Sequence, residues 1–303
     1  MQMEYALPQR IAIIGAGLIG RAWATVFGRA GCDLTLFDTA PEIARDALAA
    51  IRSPDEQRDI RVRVADTLAA AVDGADFIQE NTPETLEAKL SIFAELDNLA
   101  PRDAILASSS SAIVASRFTE KLARRHRCLI AHPVNPPHLI PVVELVGAPW
   151  TSAETIERAK QIYTLVGQVP IVVKREIDGF ILNRLQAVLL SEAFRLVEEG
   201  YVTPQDLDQT LKHGLGLRWS FMGPFETIEL NAQGGIPDYC RRYGASLAAL
   251  SGADEAIYSA PKLDVILAQR GRAPSAQEIA AKMRWRDGRL AALREHLHSQ
   301  PSS

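Results

Sequence analysis

A histidine and a glutamate stand at equal distances on either side of a short loop, and this pair could carry out acid–base chemistry. His132 ends an apolar run, Glu144 lies in the next one, and residue 138 is midway between them. If the chain reverses about residue 138, the two side chains lie opposite each other, about 5 Å apart at Cβ. A carboxylate that orients an imidazole and stabilises its protonated form makes a general base of the histidine. A histidine bonded to backbone groups beside a glutamate at the rim is the alternative.

A glycine pattern near the N-terminus indicates a nucleotide site. Residues 11–20 have the pattern of a buried strand that enters Gly-x-Gly-x-x-Gly and then a helix. The first glycine allows a tight turn, the second lets the backbone approach a pyrophosphate, and the third allows close helix–strand packing. The helix N-terminus adds free N–H groups and the positive end of its dipole. The loop residues that would bind the cofactor are Gly15, Gly17, Leu18, Ile19 and Gly20.

An acidic residue after the second predicted strand favours NAD over NADP. Asp38 lies 18 residues beyond Gly20, close to the spacing of a carboxylate that binds the ribose hydroxyls. Its negative charge would repel a 2′-phosphate. Two alternatives stay open: a glycine loop used only for packing, and a flavin or SAM site built on a related loop.

A run of four serines, residues 108–111, follows another predicted strand. In a doubly wound sheet this places hydroxyl groups at the carboxyl edge of the strands, where ligands bind. For most of these serines a polar loop with a helix cap is the alternative.

The elements that must position these residues alternate between strand and helix. This alternation is typical of a doubly wound, mainly parallel sheet, and we expect the later strands to form an antiparallel extension. After residue 180 only helical patterns follow, with capping residues at Thr203 and Ser275. We therefore predict an α/β fold: a Rossmann-like NAD-binding domain, residues 1–177, followed by an all-helical substrate and dimerisation domain, residues 178–303. The predicted strands are residues 10–15, 33–37, 61–64, 75–80, 104–108, 127–132, 141–146 and 168–173.

Composition and charge exclude several classes of protein. The chain has 303 residues, of which 47% are hydrophobic and 23% charged, which is near the globular average and excludes disordered and fibrous classes. A net charge of −4 argues against a general nucleic-acid or anionic-membrane binder. No signal peptide or long apolar run is evident, and the three cysteines form no paired motif. We expect a soluble cytoplasmic protein with no metal site, no nucleic-acid partner and no membrane contact.

Taken together, these motifs resemble the 3-hydroxyacyl-CoA dehydrogenase superfamily, over about residues 9–240. Besides the glycine loop, the stretches that carry this resemblance are residues 106–111, 131–136, 143–144 and 178–184. Longer strings are more similar to the lambda-crystallin and L-gulonate 3-dehydrogenase branch, namely residues 132–137, 214–219 and 223–227.

The resemblance implies roles for the polar residues of these stretches. His132 matches the catalytic base of the family and Glu144 matches its partner carboxylate. Ser111 matches a serine that hydrogen-bonds the reacting oxygen, and Asn183 matches an asparagine that positions the substrate. Asn135 matches an asparagine that steadies the histidine–glutamate pair.

The resemblance also implies contacts with the cofactor and between subunits. Glu84 and Lys89, near the start of a predicted helix, match residues that line the nicotinamide ribose. The family dimerises through its helical domain, so we expect a homodimer. The helix predicted at residues 180–199 is long and apolar enough to bury one face on its own domain and another on a partner.

Two features distinguish this sequence from typical acyl-CoA members. Only 42 positions separate Asp38 from Glu80, too few for the longer helical hairpin that helps those enzymes cover CoA. Arg218, in an Arg-Trp segment that those enzymes lack, lies between a helix predicted to end near residue 213 and a turn at 222–224. A guanidinium group binds a carboxylate bidentately, which suits a free hydroxy acid. Pairing with Glu226 or Glu229 at the surface is the alternative for Arg218.

These inferences predict a small-molecule oxidoreductase. The predicted reaction is the NAD-dependent oxidation of a 3-hydroxy acid, such as L-gulonate or a related free acid, to the 3-oxo acid. Alternatives are a short-chain 3-hydroxyacyl-CoA dehydrogenase and a carnitine dehydrogenase, for which Trp150 or Trp219 could hold the quaternary ammonium. A non-catalytic NAD-binding protein, as in the crystallins, is the alternative from another class.

Overall fold

An eight-stranded sheet with the strand order β3-β2-β1-β4-β5-β6-β7-β8 organises the first part of the chain in the computed structural model. Each predicted strand overlaps one observed strand, so the predicted α/β fold is confirmed. The strands are β1 Arg10–Ile14, β2 Asp33–Phe37, β3 Val62–Val64, β4 Phe77–Glu80, β5 Ile105–Ser108, β6 Cys128–Pro133, β7 Val142–Gly147 and β8 Val169–Val173.

The direction of the last two strands only partly follows the prediction. Strands β1 to β6 run parallel, and β7 is antiparallel to β6, as expected. The last strand, β8, is parallel to β7, so the expected antiparallel extension is limited to the β6–β7 pair. The reason is that helix Ala153–Leu165 lies between β7 and β8, and a crossover helix returns the chain in the same direction.

Helices cover both faces of this sheet. Alternate residues of β1 belong to two separate hydrophobic clusters, Ile11 and Ile13 to one and Ala12 and Ile14 to the other. A parallel strand buried on both faces therefore has a continuous apolar sequence, as residues 11–14 do. These helices are α1 Leu18–Arg29, α2 Pro41–Ile51, α3 Leu68–Val72, α4 Leu86–Leu99, α5 Ser116–Thr119 and α6 Ala153–Leu165. A further helix, α7 Leu182–Glu198, follows β8 in the chain.

The structure describes residues 7–51, 60–251, 264, 267–268 and 274–299. The chain divides into two compact units, residues 1–190 and 191–303. The first unit extends beyond residue 177, and the domain boundary expected there stays a prediction. Within the described ranges no helix has the length and apolarity that crossing a membrane requires, and the cytoplasmic location stays a prediction.

The second unit is helical, and the predicted caps are present. The hydroxyl of Thr203 accepts a hydrogen bond from the Asp206 N–H at 3.1 Å, and that of Ser275 accepts one from the Glu278 N–H at 3.3 Å. Among the described residues no strand follows Val173. The helical segments of this unit are α8 Pro204–Thr210, a π-helical turn Leu211–Leu215, α9 Gly216–Trp219, α10 Pro224–Leu230, α11 Gly235–Ser251 and α12 Ala276–Ser299.

An apolar stripe on helix α7 is exposed. Leu185 is 65% exposed, and Val188 and Phe194 are each 73% exposed. No residue of α7 is buried. A face of this kind is typical of a protein–protein interface.

A buried ion pair supports the first unit next to β6. Arg127 Nη2 lies 3.1 Å from Asp97 Oδ1, with 3% and 5% of the side chains exposed. Arg127 also donates to the carbonyl oxygens of Asp97 and Ala104. Burial alone would raise the pKa of Asp97, but hydrogen bonds from Arg127 and Arg124 hold it below its ordinary value.

We expect Arg127→Met to lower the free energy of unfolding by up to about 3–5 kcal/mol, because the buried carboxylate of Asp97 loses the buried one of its two arginine partners. Chemical denaturation measures this loss, with Arg102→Met at an exposed position as the control. The folded-state pKa of Asp97 is lowered, so its contribution is present above its ordinary pKa and is lost as the pH falls. The difference in the free energy of unfolding between the wild type and Arg127→Met should therefore become smaller in acid. Equal stability of Arg127→Met and Arg102→Met at neutral pH contradicts a stabilising role of the Arg127–Asp97 pair.

Candidate active site

The carboxyl ends of β4, β5 and β6 border a cavity of about 530 Å³. This is the edge at which open parallel sheets bind their ligands. The cavity brings together four of the six predicted catalytic and substrate-binding residues, namely Ser111, His132, Asn135 and Asn183. Its lining residues are Ile19, Asn81, Thr82, Glu84, Lys89, Ser109, Ser111, His132, Pro133, Val134, Asn135, Leu182, Asn183 and Gln186.

The histidine and the glutamate that open the sequence analysis form a buried hydrogen-bonded pair. His132 on β6 is the direct cross-strand partner of Glu144 on β7, so the register expected from a reversal at residue 138 is confirmed. His132 Nδ1 lies 2.8 Å from Glu144 Oε2, and the residues are 6% and 2% exposed. Since Nδ1 is occupied, Nε2 is the nitrogen available to a ligand in the cavity.

Glu144 is held in its ionised form. Its second oxygen, Oε1, accepts hydrogen bonds from the N–H groups of Ile181 at 2.8 Å and Leu182 at 3.0 Å. Burial alone would raise the pKa of Glu144, but the bond from His132 and these two N–H groups hold it below its ordinary value. An ionised carboxylate only accepts hydrogen bonds, so in neutral His132 the proton resides on Nδ1 and Nε2 is basic.

Phe180 lies in the turn before α7 and packs against the ring of His132. Its backbone has φ +48°, in the left-handed region that is unfavourable for residues other than glycine. Its side chain is fully buried, and its ring centroid lies 5.4 Å from that of His132. The turn leads directly to the two N–H groups that bind Glu144. Phe180 was not predicted as a site residue, although it lies in one of the stretches that carry the family resemblance.

The four serines after β5 divide into two kinds. The hydroxyls of Ser108, Ser109 and Ser110 make hydrogen bonds with other side chains, so a polar structural loop is the right description for these three. The hydroxyl of Ser111 has no hydrogen-bond partner within the described part of the chain, and Ser111 lines the cavity. Its hydroxyl is therefore available to a ligand.

The two predicted asparagines differ in their contacts. Asn183 Nδ2 donates to the backbone carbonyl of Ser111 at 2.9 Å, which leaves its Oδ1 free to accept. Asn135 lines the cavity, but within the described residues it makes no hydrogen bond to His132 or Glu144. Its predicted effect on the pair therefore does not arise from a direct hydrogen bond.

The glycine loop fits a dinucleotide. Gly15 has φ +85°, and a Cβ there would lie 2.7 Å from the Asn81 backbone; at Gly20 it would lie 1.9 Å from the Gly15 carbonyl oxygen. At Gly17, by contrast, a Cβ would meet nothing within 4 Å. The chain itself therefore does not require glycine at position 17, whereas a pyrophosphate approaching the N-terminus of α1 does.

Asp38 connects the end of β2 to this loop. Its Oδ2 accepts from the Ala16 N–H at 2.8 Å, and Oδ1 accepts from the Ala40 N–H at 3.0 Å. Each carboxylate oxygen has capacity for a further hydrogen bond. Asp38 can therefore bind ribose hydroxyls while it fixes the loop.

A second buried ion pair lies beside the cavity. Lys89 is 1% exposed, and its Nζ lies 2.8 Å and 3.0 Å from the two oxygens of Glu80 and 3.0 Å from the Thr82 carbonyl. These bonds occupy the three donors of an ammonium group. A contact of Lys89 with ribose, as the resemblance implies, would require one of them to break. Glu80 was not predicted, although a charged residue that ends a buried strand was a usable signal.

Arg218 lies in the second unit, within α9, the short helix that directly follows the π-helical turn. The prediction that it lies outside the helices was therefore wrong, because the helical hydrogen bonding continues past residue 213. Glu226 accepts from the Gly223 N–H, and Glu229 pairs with Lys282. The guanidinium of Arg218 makes no hydrogen bond or ion pair with any described residue, so the alternative of a surface pairing with Glu226 or Glu229 is not found.

A dinucleotide loop and a proton acceptor at one sheet edge are the parts of a nicotinamide-dependent dehydrogenase. The model of the 3-hydroxyacyl-CoA dehydrogenase NAD binding domain matches residues 10–177, and that of the C-terminal domain of the same family matches residues 179–273. The chain belongs to the 3-hydroxyacyl-CoA dehydrogenase family. It is an NAD-dependent enzyme that acts on CH–OH groups, and the alternative cofactors considered for the glycine loop are excluded.

Similar proteins include both crystallins and dehydrogenases. A lambda-crystallin homolog of Bos taurus is 41% identical over 313 residues, which cover 97% of each chain. An L-carnitine dehydrogenase of Pseudomonas putida is 36% identical, over 96% of this chain and 95% of that one. The crystal structure of a 3-hydroxyacyl-CoA dehydrogenase from Archaeoglobus fulgidus has a TM-score of 0.79 at 27% identity, over 96% of this chain and 100% of that one.

Proposed function

We propose that this protein oxidises a free 3-hydroxy acid, L-gulonate or a related acid, to the 3-oxo acid. The observation that carries this proposal is the buried His132–Glu144 pair, which leaves a basic nitrogen for the cavity. NAD, when bound, supplies the acceptor for the hydride that leaves C3 of the substrate. The residues of the chain bind the acid, orient its hydroxyl and move its proton.

In the proposed mechanism Nε2 of His132 takes the proton of the C3 hydroxyl. Glu144 stabilises the imidazolium that forms, because its charge faces Nδ1 at 2.8 Å. The hydroxyl of Ser111 and the second Nδ2 hydrogen of Asn183 donate hydrogen bonds to the reacting oxygen and hold it in place. A positioned base contributes about 10²–10⁴-fold to the rate.

Two features favour a free acid over a CoA thioester. Between β2 and β4 the described residues form α2, β3 and the five-residue helix α3, as predicted, and no longer hairpin is found among them; residues 52–59 lie outside the described part. Arg218 has a guanidinium group that can bind the C1 carboxylate bidentately. Its assignment rests on this chemistry and on the lack of a partner within the described residues.

Carnitine, which has a quaternary ammonium group besides its carboxylate, is a less suitable substrate than a hydroxy acid without a cationic group. Trp150, one of the two tryptophans considered for a quaternary ammonium, has the guanidinium of Arg125 4.6 Å from its ring centroid. Its indole N–H donates to Thr119, and Trp150 is not among the residues that line the cavity. A CoA thioester stays the second candidate, since the archaeal enzyme of similar fold is a 3-hydroxyacyl-CoA dehydrogenase.

A substrate panel tests the proposal. NADH formation is followed with L-gulonate, 3-hydroxybutyrate, L-carnitine and 3-hydroxybutyryl-CoA side by side. We expect the highest kcat/KM for a free hydroxy acid that carries no cationic group. A preference for the thioester contradicts the proposed substrate class. No turnover of any compound, despite tight binding of NADH, supports a non-catalytic crystallin-like role instead.

We expect Arg218→Met to lower kcat/KM for free hydroxy acids by about 10- to 100-fold, since a hydrogen bond to a charged group contributes about 1.5–3 kcal/mol. The loss should arise mainly in KM and should be absent for the thioester. Arg289→Met, at an exposed arginine of α12, is the matched control. A loss of equal size for the acid and the thioester contradicts a carboxylate contact.

We also propose that the protein is a homodimer through its helical part. The exposed stripe on α7, with Leu185, Val188 and Phe194, supports this proposal because isolated proteins rarely leave large apolar patches in water. Sedimentation equilibrium gives the mass of the assembly directly, and a monomer at micromolar concentration contradicts the proposal.

A further inference from the structure

One carboxylate oxygen of Glu84 collects four hydrogen bonds from the loop that carries Ser111. Glu84 Oε1 accepts from the hydroxyl of Ser110 at 2.6 Å and from the N–H groups of Ser111 and Ala112 at 3.0 Å each. The N–H of Ile113 follows at 3.3 Å. Successive N–H groups that converge on one point form an anion-binding nest, and here the anion is a side chain of the protein.

These donors stabilise the ionised form of Glu84. Burial alone would raise the pKa of Glu84, but the Ser110 hydroxyl and the N–H groups of Ala112 and Ile113 hold it below its ordinary value. Hydrogen bonds to an ionised acceptor are about twice as strong as neutral ones. Residues 110–113 belong to no helix or strand, so the contacts with Glu84 are a principal restraint on the loop.

The same loop carries the Ser111 hydroxyl and binds the Asn183 amide, the two groups that the mechanism assigns to the reacting oxygen. The Ser111 hydroxyl faces the cavity without a protein partner in the described part of the chain. The Ser111 carbonyl accepts from Asn183 at 2.9 Å. A shift of the loop therefore displaces the serine hydroxyl and the asparagine amide together.

We propose that Glu84 is a positioning residue, which sets the Ser111 hydroxyl against the reacting oxygen through the 110–113 loop. This goes beyond the ribose contact implied by the family resemblance, and it rests on the proposed function of Ser111. Oε2 of Glu84 makes no hydrogen bond with any described residue and stays available to a cofactor. The positioning role belongs to Oε1.

Replacement of Glu84 should reduce catalysis more than cofactor binding. We expect Glu84→Ala to lower kcat by about 10²-fold, the loss that follows a misplacement of about 1 Å, and to raise the dissociation constant of NADH by a much smaller factor, through the loss of Oε2. Glu84→Gln keeps an acceptor oxygen at the nest and should recover part of the rate. The matched control is Glu87→Ala, an exposed glutamate in the first turn of α4, which should behave as the wild type.

A double-mutant cycle with Ser111→Ala shows whether Glu84 acts through the serine. If it does, Glu84→Ala adds little to the loss that Ser111→Ala already causes, because residues that act as a unit are not additive. Additive losses overturn the proposal. A raised NADH dissociation constant with unchanged kcat also overturns it, and assigns Glu84 to the cofactor alone.

Amide hydrogen exchange tests the loop without any turnover. Glu84→Ala should speed exchange in the peptide that contains residues 110–113, Glu84→Gln should speed it less, and Glu87→Ala should not change it. Unchanged exchange in Glu84→Ala overturns the proposal even if the rate falls. If no hydroxy acid is a substrate, the proposed function fails, and this measurement still decides whether Glu84 holds the loop.

Discussion

His132→Asn is expected to lower kcat by about 10²–10⁴-fold, which is the contribution of a positioned general base. Asparagine keeps a polar group next to Glu144 but cannot take up the proton of the substrate hydroxyl. The dissociation constant of NADH should be unchanged, because the glycine loop and Asp38 lie on other strands, β1 and β2. Stopped-flow formation of NADH and a fluorescence titration with NADH measure the two quantities.

The control for this variant is His126→Asn, at an exposed histidine before β6. It should retain the wild-type rate. Retained turnover in His132→Asn would remove the base from the mechanism. A loss of NADH binding that matches the loss of rate would instead mean that the substitution disturbs the fold of the sheet edge.

Glu144→Gln is expected to have an effect of similar size, on the order of 10³–10⁴-fold in kcat, as in enzymes where a histidine is held in the wrong tautomer. The glutamine oxygen would accept from the Ile181 and Leu182 N–H groups, as Glu144 Oε1 does now. Its amide N–H₂ would then face Nδ1 of His132 and donate to it. The imidazole proton would move to Nε2, and the nitrogen that faces the cavity would no longer be basic.

Nitrogen NMR of the imidazole checks this tautomer change independently of the rate. The pH profile of the wild type provides a second check. The pKa of Glu144 lies below its ordinary value of 4.5, so protonation of this carboxyl should not lower activity above that pH. If activity falls with decreasing pH while the pH is still above 4.5, the group that becomes protonated must be one other than Glu144. Wild-type turnover in Glu144→Gln contradicts the role of the pair.

Local sequence patterns were sufficient to predict the sheet and the central pair. Strands buried on both faces have continuous apolar sequences, and the turn at residue 138 fixes the register by symmetry. The direction of β8 was not predicted in this way, because it depends on whether α6 carries the chain back across the sheet before β8 begins. Tertiary packing rather than local pattern decides such a crossing.

Contacts between distant residues explain most of what the sequence did not predict. Glu80 and Lys89 form a buried ion pair, and Lys89 uses all three of its ammonium donors. The spacing of these residues in the sequence does not indicate either contact. The same holds for Phe180, whose left-handed backbone is visible only in the folded turn. The sequence also did not show which of the four serines has a hydroxyl without a partner among the described residues, because the partners of the other three are side chains distant in the sequence.

Transfer of a labelled hydrogen from the substrate tests the central claim most directly. L-Gulonate with deuterium at C3 is incubated with the enzyme and NAD, and the mass of the reduced cofactor is measured. Oxidation at C3, in which the C3 hydrogen leaves as hydride while His132 takes the hydroxyl proton, predicts deuterium in the reduced cofactor from this substrate and none from L-gulonate labelled at C2. Label from C2, or no reduction of NAD by any free hydroxy acid, contradicts the proposed reaction.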